Sequence, residues 1–265
     1  MDKYMTQDMD IGRSMNQDTP VFYQQDSGAK SIMTLANFPD DMLPLLQMEN
    51  IATYEAMGHF RCNTLVELGC YDGRALEIAR LLNARYQGID LNPRAIKVLR
   101  ERVKQEEIED RVDTIVGDVL THMSRGQLSV GSQTLYLLPF NFLGNFRDPL
   151  PLLKKLAKLD VISVICVFSN SPEAIRVRHD YYLRCGVQAL ELHSHEDGTL
   201  FTGADGFYSR SYTRSSFHSL LTRCGLSVIK TSENLLAYCG TVTSATLNAT
   251  APIHTDKIIR YNSNR

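Results

Sequence analysis

Short apolar runs alternate with amphipathic segments over most of the chain, beginning near residue 64. The runs have the length of buried strands and lie at 64–68, 85–90, 112–116, 134–138 and 161–168. The segments between them, such as 74–83 and 93–105, carry apolar residues at helical spacing. Strands that alternate with helices predict an α/β fold with a parallel, doubly wound, Rossmann-like sheet. Further strands near 227–231 and 235–243 extend the predicted sheet to seven strands.

The alternation divides the chain into a central domain and its additions. Residues 1–60 are predicted to form a Met-, Asp- and Gln-rich arm, which is either flexible or orders over a ligand, followed by helices. The helical segment at 41–59 is amphipathic and either caps a pocket or packs on the sheet edge. The Rossmann-like domain spans 61–243 and includes an insertion after the fifth strand, at 170–212. Residues 244–265 form a C-terminal tail.

Composition narrows the class of protein. The chain has 265 residues, of which 43% are hydrophobic and 22% charged, as expected for one globular domain with additions. The formal net charge of −2 gives no support for a nucleic acid partner. The six cysteines are scattered and favour buried free thiols in a reducing compartment over a zinc site or a disulfide framework. Since no apolar run approaches the length of a membrane span, we expect a cytoplasmic protein without a membrane partner.

The most informative motif is Glu-Leu-Gly-Cys-Tyr-Asp-Gly at 67–73, which follows the first predicted strand. Gly69 and Gly73 let the backbone approach a ligand closely, because they carry no side chain. The second predicted strand ends at Asp90, where a carboxylate can accept hydrogen bonds from both hydroxyls of a ribose. The turn and the acid together predict a nucleoside site.

The motif residues that this sequence lacks indicate which nucleoside is expected. A dinucleotide fingerprint has a second glycine at the position of Tyr71, and the Gly-Lys-Ser/Thr of a phosphate loop is absent. The motif at 67–73, followed by Gly-Ile-Asp-x-x-Pro, resembles the S-adenosylmethionine (SAM) site of class I methyltransferases. An NAD or FAD unit, or an accidental glycine turn, is the alternative. The resemblance implies these SAM-binding residues: Glu67, Gly69, Cys70, Tyr71, Gly73, Asp90, Leu91, Asp118, Val119 and Asn141.

Asp118 follows the third predicted strand and supplies the third cofactor signal. Its carboxylate can accept from an exocyclic amine such as adenine N6, and the N–H of Val119 can meet a ring nitrogen. By the same resemblance, Glu67 orders the glycine turn more often than it touches the ligand. Arg74 can meet a carboxylate, although an exposed helix arginine is the simpler interpretation.

The loop after the fourth strand, Pro-Phe-Asn-Phe-Leu-Gly-Asn at 139–145, is predicted to carry the chemistry. Ligands of open α/β sheets bind at the carboxyl ends of strands, which is where this loop lies. The aromatic face of Phe140 can attract a sulfonium cation. Asn141 and Asn145 offer amide groups, which either contact the ligand or cap the next helix. The loop differs from the Asn-Pro-Pro-Tyr/Phe with which nucleic-acid N-methylating enzymes hold a flipped base.

Within the methyltransferase fold, five residues resemble those of azetidine-2-carboxylate synthases: Phe140, Asn145, Tyr181, Tyr182 and Ser209. The resemblance implies that SAM is cyclised, giving methylthioadenosine and a four-membered imino acid. A methyltransferase acting on a small molecule, and a non-catalytic SAM-binding protein, are the alternatives. His193 and His195 lack an acidic partner at ligand spacing, so we place them on a solvated hairpin and predict no metal site.

Overall fold

The computed structural model describes residues 21–159 and 161–244. Its main sheet has seven strands in the order β3-β2-β1-β4-β5-β10-β9. The strands are β1 (Thr64–Leu68), β2 (Arg85–Asp90), β3 (Val112–Val116), β4 (Thr134–Leu138), β5 (Ile162–Phe168), β9 (Leu226–Glu233) and β10 (Ala237–Ser244). All neighbouring pairs are parallel except those made by β10, which is antiparallel to both β5 and β9. The predicted α/β fold with a seven-stranded sheet is confirmed.

Helices cover both faces of this sheet. They are α1 (Val21–Gln24), α2 (Asp26–Met33), α3 (Leu43–His59), α4 (Leu76–Leu81), α5 (Pro93–Gln105), α6 (Val119–Ser124), α7 (Leu150–Leu159), α8 (Pro172–Arg184) and α9 (Arg214–Arg223). Apolar side chains of α3, α4 and α5 form a core on one face, and those of α6, α7 and α9 form a core on the other. Every residue of β4 and β5 is buried, as expected of central parallel strands covered on both faces.

Local chemistry explains where several elements begin. The side chain of Asn92 accepts hydrogen bonds from the backbone N–H groups of Arg94 and Ala95, and Pro93 starts α5 without losing a helical hydrogen bond. The side chain of Ser171 caps α8 in the same way. Helix α4 is shorter than the predicted 74–83, because the turn after β1 continues as far as Ala75.

The insertion after β5 holds α8 and a small three-stranded sheet of β6 (Glu191–His195), β7 (Gly198–Thr202) and β8 (Tyr208–Arg210). With α1, α2 and the turn that ends at Met42, it builds a third core over the carboxyl ends of the main strands. His193 and His195 lie on β6, which is exposed along its whole length, as the solvated hairpin predicted. The part of the predicted arm that can be described is therefore helical and packed; residues 1–20 and 245–265 lie outside the described residues.

The prediction that all cysteines are free is wrong for one pair. Cys166 on β5 and Cys239 on β10 are opposite each other in the antiparallel register and form a disulfide. Their separation of 73 residues hides this pairing in the sequence. Cys62, Cys70, Cys185 and Cys224 are free and buried, as predicted. No helix in the described part of the chain is long and apolar enough to span a membrane.

Candidate active site

A cavity of about 100 Å³ lies at the carboxyl ends of the parallel strands, beneath the arm and the insertion. All five residues that the synthase resemblance singled out line it: Phe140, Asn145, Tyr181, Tyr182 and Ser209. So do most of the predicted SAM-binding residues: Glu67, Gly69, Tyr71, Asp90, Leu91, Asp118, Val119 and Asn141. Residues separated by more than 140 positions in the chain thus share one cavity.

Cys70 and Gly73, which were also predicted to bind the cofactor, are not among the residues that line this cavity. Cys70 is buried against Gly88 of β2. Gly73 has φ +81°, and a Cβ atom there would stand 2.6 Å from the side chain of Leu99. Both residues affect the packing of the turn: Cys70 lies against Gly88 of β2, and Gly73 leaves room for Leu99 of α5.

The glycine turn has a left-handed backbone at Gly69 (φ +74°) and at Tyr71 (φ +49°). A Cβ atom on Gly69 would stand 2.4 Å from the ring of Phe142, so glycine is required there for space as well as for conformation. The carboxylate of Glu67 accepts a hydrogen bond from the N–H of Ala75 and a second from the hydroxyl of Tyr86. Glu67 therefore orders the turn, and it also lines the cavity.

Asp90 lies at the end of β2 and uses both carboxylate oxygens. Oδ2 accepts from the N–H of Tyr71 at 2.8 Å, and Oδ1 accepts from the N–H of Asn92 at 2.8 Å. Burial raises the pKa of Asp90, and these two backbone hydrogen bonds oppose that shift. Each carboxylate oxygen has a second lone pair, so Asp90 can hold the glycine turn and still accept from two ligand hydroxyls.

Asp118 is the N-cap of α6. Its Oδ1 accepts from both the N–H and the hydroxyl of Thr121, at 2.7 Å each. The described residues donate no hydrogen bond to the other oxygen, Oδ2, which can therefore accept from a ligand amine; Asp118 and Val119 both line the cavity. The sequence prediction for this pair is compatible with that geometry.

Arg74 is not the exposed helix arginine that the sequence favoured. Its side chain is 21% exposed and forms an ion pair with Glu49 at 3.0 Å, while its guanidinium lies 5.3 Å from the ring centre of Phe140. Glu49 belongs to α3 and is almost fully buried. Burial raises the pKa of Glu49, whereas Arg74 and a backbone hydrogen bond lower it. Helix α3 thus contributes a residue to the site, which favours the pocket-cap interpretation.

The loop after β4 has a strained start. Phe140 (φ +43°) and Asn141 (φ +61°) are both left-handed without being glycine. Such conformations cost roughly 1–3 kcal/mol each and persist only where the surroundings impose them. Here the Glu49 carboxylate accepts the N–H of Phe140 at 2.6 Å, and the Asn141 side chain accepts the N–H of Phe168 at 3.0 Å.

The ring of Phe140 already has close neighbours. It stacks on Phe38 of the arm at 5.2 Å, and the ring of Tyr181 meets it edge-on at 6.0 Å. The hydroxyl of Tyr181 donates to the carbonyl of Ile32 on α2, so the insertion and the arm are joined above the cavity. An aromatic wall of this kind is suited to a cationic ligand.

Asn145 meets a residue of the arm that the sequence analysis did not select. The hydroxyl of Tyr23 lies 3.0 Å from Asn145 Oδ1 and 3.3 Å from the carbonyl oxygen of Tyr208. One hydroxyl proton serves only one of these acceptors at a time. When Tyr23 donates to the carbonyl, the Asn145 amide can turn, donate to Tyr23 and present its oxygen to the cavity.

Tyr182 and Ser209 form the opposite wall, with their hydroxyl oxygens 2.7 Å apart. Asn141 Nδ2 donates to Ser209 Oγ at 3.0 Å, and Arg178 Nε donates to the Tyr182 hydroxyl at 3.2 Å. The orientation of the Asn141 amide is fixed, because its oxygen has to face the N–H of Phe168. Ser209 is thereby tied to the loop after β4, which lies 68 residues earlier in the chain.

Comparisons with known proteins agree with this fold. No protein-family model matches the chain, and a search of curated proteins found no significant sequence match. Solved structures do match. The 1,6-didemethyltoxoflavin-N1-methyltransferase of Burkholderia thailandensis, with S-adenosylhomocysteine bound, is 14% identical with a TM-score of 0.54, over 77% of this chain and 81% of that one.

Two other matches are the CcbJ methyltransferase of Streptomyces caelestis and the mitomycin 7-O-methyltransferase MmcR. CcbJ is 13% identical with a TM-score of 0.51, over 78% of this chain and 99% of its own. MmcR is 16% identical with a TM-score of 0.54, over 77% of this chain and 54% of its own, so the chain matches about half of MmcR. At these identities the likeness shows the fold, and the chain has the Rossmann-like fold of class I methyltransferase structures.

Proposed function

We propose that this chain is an enzyme that binds SAM, with the adenosine part at Asp118 and Asp90. The methionine part then extends past Gly69 toward Phe140 and Asn145. Three strand ends supply groups of suitable chemistry for an adenine amine, ribose hydroxyls and a sulfonium, all on one cavity. Structures with this fold include one with S-adenosylhomocysteine bound, which agrees with the proposal.

Within this proposal, the reaction is the cyclisation of SAM itself. The α-ammonium group loses one proton to water, and the neutral amine attacks the γ-carbon of the same molecule. The bond from the γ-carbon to sulfur breaks, and its electron pair stays on sulfur as the neutral thioether of methylthioadenosine. The products are methylthioadenosine, azetidine-2-carboxylate and one released proton.

The observation that supports cyclisation is the convergence of five residues on one small cavity. Phe140, Asn145, Tyr181, Tyr182 and Ser209 come from the β4 loop, α8 and β8, and all line it. Ordinary ligand pockets measure roughly 300–1,000 Å³, against about 100 Å³ here. To bind SAM, the arm or some lining side chains therefore have to shift. An acceptor bound beside SAM would need a much larger increase in cavity volume.

The protein's contribution to this reaction is to position the amine and the γ-carbon of SAM. Holding amine and γ-carbon at roughly 3–3.5 Å in line can supply several kcal/mol of the barrier. Burial raises the pKa of both Tyr23 and Tyr181 well above its ordinary value, so these hydroxyls stay protonated at neutral pH and act as donors, not bases. The route through an amine that loses its proton to water needs no such base.

Methyl transfer to a small acceptor is the second candidate. The observation that favours it is the set of compared structures, whose names describe N- and O-methyltransferases of small molecules. In this case the amine of SAM does not react, and the arm moves further to admit an acceptor next to Asn145.

The test is incubation of the purified protein with SAM alone, followed by mass spectrometry. Cyclisation predicts methylthioadenosine and azetidine-2-carboxylate in equal amounts, formed faster than in buffer without protein. SAM that is bound but unchanged would overturn cyclisation. A screen of small amines, phenols and carboxylates for formation of S-adenosylhomocysteine then tests methyl transfer.

A further inference from the structure

Arg178 is a buried cation near the cavity. Its side chain, on α8, is fully buried, and its guanidinium lies 4.9 Å from the ring centres of both Phe168 and Phe201. In the described parts of the chain, no acidic side chain forms an ion pair with it. Its hydrogen-bond acceptors are the uncharged oxygens of Tyr182, Thr199 and Ser209. A buried charge without a counter-charge is costly unless something nearby compensates it.

The other arginine at this cavity differs in this respect. Arg74 lines the cavity, but its charge is balanced by the buried carboxylate of Glu49. We call the part of the cavity near Asn145, Tyr182 and Ser209, where the proposed reaction takes place, the reaction end. The positive potential at this end therefore lies on the Arg178 side, behind Tyr182 and Ser209. A ligand with separated charges is drawn to place its negative group there.

The hydroxyl protons of this wall can be counted. The Tyr182 oxygen accepts from Arg178 Nε, and Ser209 Oγ accepts from Asn141 Nδ2, with Arg178 Nη2 at 3.4 Å. The pair of hydroxyls shares one hydrogen bond, so one of their two protons is used between them. The second proton has no acceptor among the residues described, and both side chains line the cavity. A ligand oxygen is the partner that completes the network.

We infer that the Tyr182–Ser209 pair, backed by Arg178, is the binding site for a carboxylate of the ligand. Arg178 is a positioning residue, since it acts through the two hydroxyls that touch the ligand. The inference rests on the proposed function, under which the carboxylate is that of SAM itself. Anchored on this wall, the methionine chain is held by its carboxylate while its amine is turned toward the γ-carbon.

The experiment compares two unreactive ligands that differ in one group. S-adenosylhomocysteine carries the carboxylate, and its decarboxylated analogue keeps the amine but lacks the carboxylate. Binding of each to the full chain is measured by titration calorimetry. A hydrogen bond to a charged group contributes enough to predict that S-adenosylhomocysteine binds at least about tenfold more tightly than its analogue.

A variant then tests whether the two hydroxyls cause the preference for S-adenosylhomocysteine. The double substitution Tyr182→Phe with Ser209→Ala removes both hydroxyls and keeps the ring, and it is expected to reduce the preference to less than about threefold. Each single variant still leaves one hydroxyl proton for the ligand, as the wild-type pair does, and is expected to keep most of the preference. Ser163→Ala is the control, because Ser163 is buried on β5, its hydroxyl has no hydrogen-bond partner among the described residues, and it does not line the cavity. It should keep the wild-type preference.

The outcomes separate the two proposals. Equal affinity of the wild-type protein for the two ligands would overturn the carboxylate site and leave the proposed function standing. A full preference that persists in the double variant, with Arg74 as the remaining cation, would also overturn it. Failure of both ligands to bind would overturn SAM binding itself. The wild-type comparison needs no variant, so the inference stays testable even if the double variant does not fold.

Discussion

The two ends of the cavity are built in different ways. At the nucleoside end, Asp90 and Asp118 lie at the ends of neighbouring strands, and each binds backbone N–H groups close to it in sequence. At the reaction end, Asn145 meets Tyr23 across 122 positions, and Asn141 meets Ser209 across 68. The first end is held by local turns of the sheet, whereas the second exists only when the arm and the insertion are both in place.

This difference separates affinity from turnover. Changes at the nucleoside end should weaken binding of SAM, because the protein groups there contact its adenosine part, which the reaction leaves unchanged. Changes at the reaction end should alter how the bound methionine chain is held, with smaller effects on affinity. The predictions below test this division, beginning with the largest expected effect.

Asp90→Ala should weaken SAM binding about 100-fold. It removes a charged acceptor for the ribose and also releases the N–H groups of Tyr71 and Asn92 that shape the turn. Titration calorimetry measures the affinity. Asp110→Ala, at an exposed position after α5, is the control and should bind as wild type does. Unchanged affinity in Asp90→Ala would remove the ribose assignment.

Gly69→Ala should destabilise the fold by roughly 1–3 kcal/mol, because alanine is strained at φ +74° and its Cβ meets the Phe142 ring. Gly58→Ala is the matched control: Gly58 lies in α3 with nothing within 4 Å of the added atom. That change should stabilise the helix by about 0.5–1 kcal/mol. Chemical denaturation of the two variants should move their midpoints in opposite directions.

Asn145→Ala should lower turnover at least about tenfold while changing SAM affinity less than about threefold, since one uncharged hydrogen-bonding group is lost at the reaction end. Single-turnover rates and calorimetric affinities measure the two quantities separately. A variant that turns over like wild type would contradict the role given to Asn145.

Tyr23→Phe should reduce turnover several-fold, because the ring packing against Phe22 and Phe207 remains and only the hydroxyl that orients Asn145 is lost. Tyr136→Phe removes another tyrosine hydroxyl, which bonds to the carbonyl of Ser129 away from the cavity, and should affect stability without affecting turnover. Equal turnover in the two variants would show that the arm only covers the site.

Glu67→Gln should change the pH dependence of stability. Burial raises the pKa of Glu67 from 4.5 to about 8, with opposing hydrogen bonds from Tyr86 and Ala75. A raised folded-state pKa means that the stabilisation is complete below about pH 4.5 and is lost as the pH rises to about 8. Wild type should therefore lose more stability than Glu67→Gln between pH 5 and pH 8. The exposed Glu109→Gln serves as control and should follow wild type.

The sequence predicts the elements around Asp90 and Asp118 well, since each strand and the turn that follows it lie within one short segment. The strands β2, β3 and β4 have the predicted bounds. Helix α4 is two residues shorter than predicted at each end, because the turn after β1 continues as far as Ala75 and Asn83 adopts a left-handed conformation beyond the last turn. Positions where the backbone is left-handed without glycine are set by tertiary contacts.

The residues that were missed share one property: their partners are far away in the chain. Glu49 binds Phe140 across 91 positions, Tyr23 binds Asn145 across 122, and Cys166 pairs with Cys239 across 73. A buried carboxylate inside an apolar helix was a usable signal for Glu49, since such a group needs a partner. The flexible or ligand-covering arm remains a prediction for residues 1–20. The cytoplasmic location remains a prediction for the whole chain.

The most direct test follows the two carbons attached to sulfur. SAM is prepared with distinguishable isotope labels on its S-methyl group and its γ-carbon, and the products formed by the protein are analysed by mass spectrometry. The account predicts the methyl label in methylthioadenosine and the γ-carbon label in azetidine-2-carboxylate. A methyl label on any other molecule, with the γ-carbon label retained in S-adenosylhomocysteine, would contradict it.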